Sequence, residues 1–209
     1  KTDAIETRAG GTSVLTIGTA TQTIKLPGGT PGADKVLTSD ATGEAAWAAA
    51  GGGKILQVIQ VVKTDVFTTT STTFVDVTGV TVSITPSAAT SKILVLLHAY
   101  GGNVTTSNAN SLTSLVRDST EIFIGDAASN RRRSTTTMGP TRSATGYAFS
   151  MHISYLDSPS TTSATTYKLQ ACVGTTASGT FVLGRDGDDA DQANEGRVPT
   201  SIIVMEVGA

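Results

Sequence analysis

Five carboxylates fall within ten residues of the stretch GRDGDDADQANEGR (184–197): Asp186, Asp188, Asp189, Asp191 and Glu195. Hard cations take clustered oxygen ligands, so these five are the calcium candidates. The spacing does not follow an EF-hand loop, because Ala190 stands where a ligand is needed and no glycine follows it. A solvated acidic loop therefore competes with the calcium reading. A glycosidase-type carboxylate pair is available here only in the sense that any acidic loop offers one. The stretch NRRRS (130–134) sets Arg131, Arg132 and Arg133 side by side, with Arg142 nearby. Guanidinium groups suit sulfated or phosphorylated sugars and acidic surfaces. Ion pairing with the 184–197 acids of a neighbouring subunit is an equal alternative. His98 and His152 are the two histidines; both fall mid-strand, at different alternation positions and without metal-like spacing, which predicts packing or interface roles. Cys172 has no evident base partner and reads as a small surface or interface residue. As the single cysteine it excludes an intrachain disulfide framework. A phosphate-cradling loop and a G-x-S-x-G elbow are both missing, so neither an enzyme nor a cofactor is expected.

The elements that would position these residues are β-strands. Charged residues are 15% of the 209, against about 25% in an average soluble protein. Thr, Ser, Gly, Ala and Val fill the difference, and the stiff side chains of Thr and Val favour strands. A net charge of −2 gives no argument for nucleic acid or an anionic membrane, and no apolar run approaches the length of a membrane span. The opening KTDAIETRAGG has neither an initiating Met nor the apolar core of a secretory signal, so more chain is expected to precede it.

Two regions meet at Gly51-Gly52-Gly53. Residues 1–53 hold only short apolar pieces, at 13–17, 23–27, 35–39 and 44–48, separated by turn residues. Such pieces bury too little to offset about 1–2 kcal/mol of backbone entropy per residue. They become stable if identical chains wrap together; the alternative is disorder. From 54 to 209 the chain reads as strands at 54–62, 73–85, 91–100, 111–118, 120–125, 147–156, 166–174 and 200–207. GTFVLG (179–184) is expected to extend the seventh after a kink. Eight main strands joined by turns predict an all-β jelly-roll sandwich.

Alternation along these strands says more. YAFSMHISYL has one apolar and one polar face, as a half-exposed strand should. ILQVIQVV and SKILVLLHAY are apolar on both faces, with Leu56, Val58, Leu94, Leu96 and His98 on the second. A sandwich has one inner face per sheet, so the second face needs a cover: a subunit interface, or else a long loop. If strand direction alternates, the connections near 63–72, 101–110, 125–146 and 184–199 share one end, and 86–90, 119 and 157–165 the other. The first set is longer and rich in Asn, Thr, Arg and Asp, which makes it the expected recognition end. Asn103, Asn108, Asn110, Arg131, Arg132, Arg133 and Arg142 are its candidate receptor contacts.

The stretch PGADKVLTSDATGEAAWAAAGGGKILQVIQV (31–61) resembles a segment of bacteriophage tail-fibre and related virion fibre proteins, in which a V-L-T-S-D-x-x-G-x-x-x-W unit closes a stalk before a globular head. FVDVTGVTVSITPSAATSKILVLLHAY, HISYLDSPSTTSATTYKLQ and SIIVMEV resemble the attached heads. The resemblance implies a homotrimer located in the virion, with an intertwined β-rich stalk over 1–53 and a tumour-necrosis-factor-like jelly-roll head over 54–209. It implies adsorption to a host surface glycan or protein, with Trp47 as an apolar plug near the threefold axis. A purely architectural part of a capsid or tail, docking another virion protein, is the alternative.

Overall fold

The computed structural model describes residues 35–39, 45–49, 54–103, 110–138, 148–174, 179–187, 189–193 and 195–208. The chain divides between Gly51 and Gly52 into two units. In the first, β1 (Lys35–Ser39) and β2 (Ala45–Ala49) form an antiparallel pair with Leu37 directly opposite Trp47. All of β1 is exposed and Trp47 is half-buried. A lone two-stranded hairpin is at best marginally stable in water. The expected pieces at 13–17 and 23–27 lie outside the described residues.

The second unit is all-β among its described residues. Its strands are β3 (Ile55–Lys63), β4 (Phe67–Thr69), β5 (Val75–Ile84), β6 (Lys92–Asn103), β7 (Ser111–Arg117), β8 (Thr120–Ile122), β9 (Thr136–Met138), β10 (Phe149–Asp157), β11 (Thr165–Val173), β12 (Phe181–Leu183) and β13 (Thr200–Val207). One sheet runs β3–β13–β6, with β10 on the far side of β6; β4–β12 continues the β3–β13 pair along the same side of β6. The other runs β5–β11–β7–β8, with β9 also on β7. Every pairing is antiparallel, and the chain changes sheet at each connection except β3–β4, β7–β8–β9 and β12–β13. This is the strand order of a jelly roll, as the sequence predicts.

The register shows why two of the predicted segments behave differently. β12 pairs with residues 101–103 of β6, and β13 then pairs with residues 92–98 of the same strand. The two are therefore one strand interrupted by the acidic excursion 184–199. GTFVLG begins the last strand in the opposite sheet; it does not extend β11. Gly184, at φ +90°, closes the neck of the excursion. Its N–H donates to the Tyr100 carbonyl at 2.8 Å, and its own carbonyl accepts from the Val198 N–H at 3.0 Å. The YGGN end of β6 admits β12 at close range, since a Cβ on Gly101 would collide with the Val182 carbonyl oxygen. In β5, Gly79 at φ +86° sits in a bulge that lets Val77 and Val80 both point inward.

The core lies between the sheets. Ile93, Val95, Leu97, Ile153, Ile202 and Val204 from one meet Val77, Val82, Leu115, Tyr167 and Leu169 from the other. Two buried carboxylates anchor its margin. Asp157 accepts from the Tyr167 hydroxyl at 2.7 Å and from Arg117 Nη1 at 2.8 and 2.9 Å. Burial, followed by the hydrogen bond to Asp157, pushes the Tyr167 phenol well above its usual range. Glu206 is fully buried and accepts from Gln57 Nε2 at 2.5 Å and from the Ser87 N–H and hydroxyl at 2.7 and 2.6 Å.

Burial alone would raise the Glu206 pKa, but the donors from Ser87 and Gln57 outweigh it and hold the group at about 2, below an ordinary 4.5. Its contribution is thus complete above the unfolded-state value near 4.5 and is lost as pH falls from there toward about 2. Thermal melts from pH 6 to pH 3 should show wild type losing stability more steeply than Glu206→Gln, which lacks this titration. At pH 7 the variant should be less stable by roughly 1–3 kcal/mol. Parallel acid profiles for the two proteins would contradict the assignment.

Candidate functional site: the outer face of the β3–β13–β6–β10 sheet

The two sheets present opposite kinds of outer face. On β5 and β11 the outward residues are polar and bonded to one another. Lys168 Nζ and Gln170 Nε2 both reach Asp76, at 2.8 and 2.7 Å, and Ser83 lies 2.9 Å from Thr166. That surface is built for water.

The other outer face is built from the second apolar sides of β3 and β6 together with β13. The register lines these residues up in rows across four strands. Val58, Met205, Leu94 and Leu156 form one row; Gln60, Ile203, Leu96 and Ser154 form the next. Val62, Ser201, His98 and His152 form a third. Val58 is 56% exposed, Val62 51%, Leu56 48% and Leu156 46%. Lys92 is the one Asp, Glu, Lys or Arg among the outward positions of these four strands. A continuous apolar sheet face of this kind is uncommon on a lone soluble domain and marks a surface that associates. Each fully buried Leu, Ile or Val side chain contributes about 1.5–3 kcal/mol, so covering several rows offers a large driving force. Leu56, Val58, Leu94, Leu96 and His98, singled out from alternation, all fall on this face.

His152 joins them, which the sequence did not disclose. The strand pairing sets it directly opposite His98, with ring centroids 4.9 Å apart and planes at 42°. Their spacing in the chain could not show this, because alternation within each strand carries no information about which residue it meets across the ladder.

The polar candidates are distributed elsewhere. Asn103 is 3% exposed, so it is packed inside and not offered to a receptor. Asn110, Arg131, Arg132 and Arg133 are exposed; Asn108 and Arg142 lie outside the described residues. Arg132 is held down against the head. Its Nη1 donates to the Thr72 carbonyl at 2.5 Å and to Cys172 Sγ at 3.1 Å, and its guanidinium lies 5.9 Å from the centre of the Phe74 ring. Cys172 is consequently buried, not a surface or interface residue, and burial pushes its thiol up while Arg132 pulls it down. Arg133 Nε donates to the Gly125 carbonyl at 2.6 Å.

In the acidic excursion, Asp186, Asp189, Asp191 and Glu195 line a cavity of about 310 Å³ together with Arg185 and Arg197. Asp189 is paired with Arg197 and, at 3.4 Å, with Arg185 Nε. The excursion thus supplies two counter-ions to Asp189. Among the described residues no three His, Cys, Asp or Glu side chains gather as a metal-ligand group, and Asp188 lies outside them.

No protein-family model and no curated protein sequence matches the chain. Among solved structures it is similar to a chain of infectious bursal disease virus, Gx strain, at 14% identity and a TM-score of 0.38, over 83% of this chain and 41% of that one. It is also similar to a mutant VP2 protein of that virus in T=1 particles, at 12% identity and a TM-score of 0.38, over 79% of this chain and 39% of the other. This chain spans about two fifths of the length of those it matches. At these identities the likeness is one of fold alone.

Proposed function

We propose that this chain is part of a virion fibre, with a jelly-roll head that trimerises through the outer face of β3–β13–β6–β10 and binds a receptor on the host surface. The observation that carries the reading is the contrast between the two sheet faces. Over β5 and the first part of β11 one is polar and internally bonded, and the other carries apolar side chains from Leu56 to Leu156 with a single charge at its margin. Neighbouring copies of this chain around a threefold axis are the cover most consistent with the fibre-like segment at 31–61, because such a segment brings identical chains together. Three identical heads on one stalk would turn weak contacts into firm attachment by raising effective concentration. The strand ends that bracket 104–109, 139–147 and 175–178 all lie at one end of the sandwich, where recognition by such a head would fall.

The test is competition for adsorption. Soluble fragment should bind host cells and reduce attachment of the virus that carries it, in proportion to the fraction of cell sites occupied. Fragment that neither binds cells nor competes would overturn the receptor-binding reading and leave an architectural role in capsid or tail.

A further inference from the structure

We infer that His98 and His152 together form a binding site for a late first-row divalent cation such as Zn²⁺, Ni²⁺ or Cu²⁺. Residues directly opposite on antiparallel strands have Cβ atoms about 4.5–5.5 Å apart, and both imidazoles leave the same face of the β6–β10 pair. Metal–imidazole nitrogen distances are about 2.0–2.1 Å. Two rings on one ion therefore have centroids about 4.5 Å apart at a right-angled ligand pair and about 5.2 Å apart at a tetrahedral one. The observed 4.9 Å lies between these limits. The centroid separation is therefore one that a shared ion can accept, with rotation about the side-chain torsions bringing a nitrogen of each ring to it.

The surroundings suit a cation. Along and across the strands the pair is flanked by Leu96, Tyr100, Ser150, Ser154 and Ser201. None of these carries a positive charge, and Lys92 stands at the other end of β6. In the single chain His152 is exposed and His98 half-buried, so an open side is left for water to complete the coordination, and in an assembly closed through this face the neighbouring copy would supply or exclude those remaining ligands. Imidazole nitrogen favours copper, nickel and zinc over calcium or magnesium, so the ion is not one the acidic excursion would select. This goes beyond the proposed function: both ligands belong to one subunit, and the site needs no second copy.

Calorimetric titration of the intact chain with NiCl₂ and ZnCl₂ should show one saturable site per chain. Added metal should also raise the melting temperature of wild type. His152→Ala and His98→Gln should each weaken binding by about tenfold or more and abolish the thermal shift, since each leaves a single imidazole. Their unliganded melting curves show that the variants are folded. Asp189→Asn should bind as wild type does. Absence of saturable binding in wild type overturns the site, and so does unchanged affinity in both histidine variants.

Discussion

On the proposed interface, Leu94→Asp should convert a trimeric head to a folded monomer. Leu94 lies in the middle of the row Val58–Met205–Leu94–Leu156 and points away from the core, so an Asp there leaves the sandwich intact in an isolated subunit. In the assembly it would place a carboxylate in an apolar contact that offers no partner, at a cost of several kcal/mol per site. The three sites of a trimer multiply that cost. Association should weaken by about a thousandfold or more, as roughly 4 kcal/mol already corresponds to that factor. Thr81→Asp, on the exposed polar face of β5 opposite Lys168, is the matched control and should leave the mass unchanged. Sedimentation velocity of the two variants beside wild type reads the result. A Leu94→Asp head with wild-type mass would show that this face is not the interface.

Asp157→Ala should produce the largest loss of fold stability. Asp157 is 3% exposed and satisfies the hydroxyl of Tyr167, itself fully buried, as well as Arg117. Removing the carboxylate leaves that hydroxyl without an acceptor and strips Arg117 of the partner that raises its pKa. Breaking such a buried pair costs about 3–5 kcal/mol. For a domain of this size that lowers the melting temperature by roughly 10 °C, at about 2–4 °C per kcal/mol. Tyr167→Phe removes donor and need together and should cost less, about 1 kcal/mol. The two changes should not add, because they delete the same bond. A shift under 2 °C for Asp157→Ala, at matched protein concentration, would contradict this account.

How far the sequence foretold these features follows from which forces are local. Alternation placed Leu94 and Leu96 on the second face of β6 because a strand's period of two is written in the chain itself. Short strands escaped this logic. β4 and β9 are three residues long, too brief to alternate, and exist only because β12 and β7 lie beside them. Phe181 to Leu183 read in the sequence as a continuation of β11 for a related reason, since an apolar triplet does not state its partner. The registry with Gly101 and Gly102 decides that, some eighty positions earlier in the chain. Cys172 is buried by Arg132, and His98 meets His152, across separations that no spacing rule within one strand spans. The acidic run looked like a ligand cluster because its counter-ions, Arg185 and Arg197, stand at its two ends.

Among the described residues the buried core runs from Val77 to Val204, with Ile59, Val61 and Phe67 packed against it, all within the compact unit 52–209, so the interface claim can be tested on the head by itself. The most direct measurement is the mass of that fragment in solution by multi-angle light scattering over a range of concentrations. The account predicts a single species of three times the chain mass. A folded species of one chain mass at every concentration would contradict it.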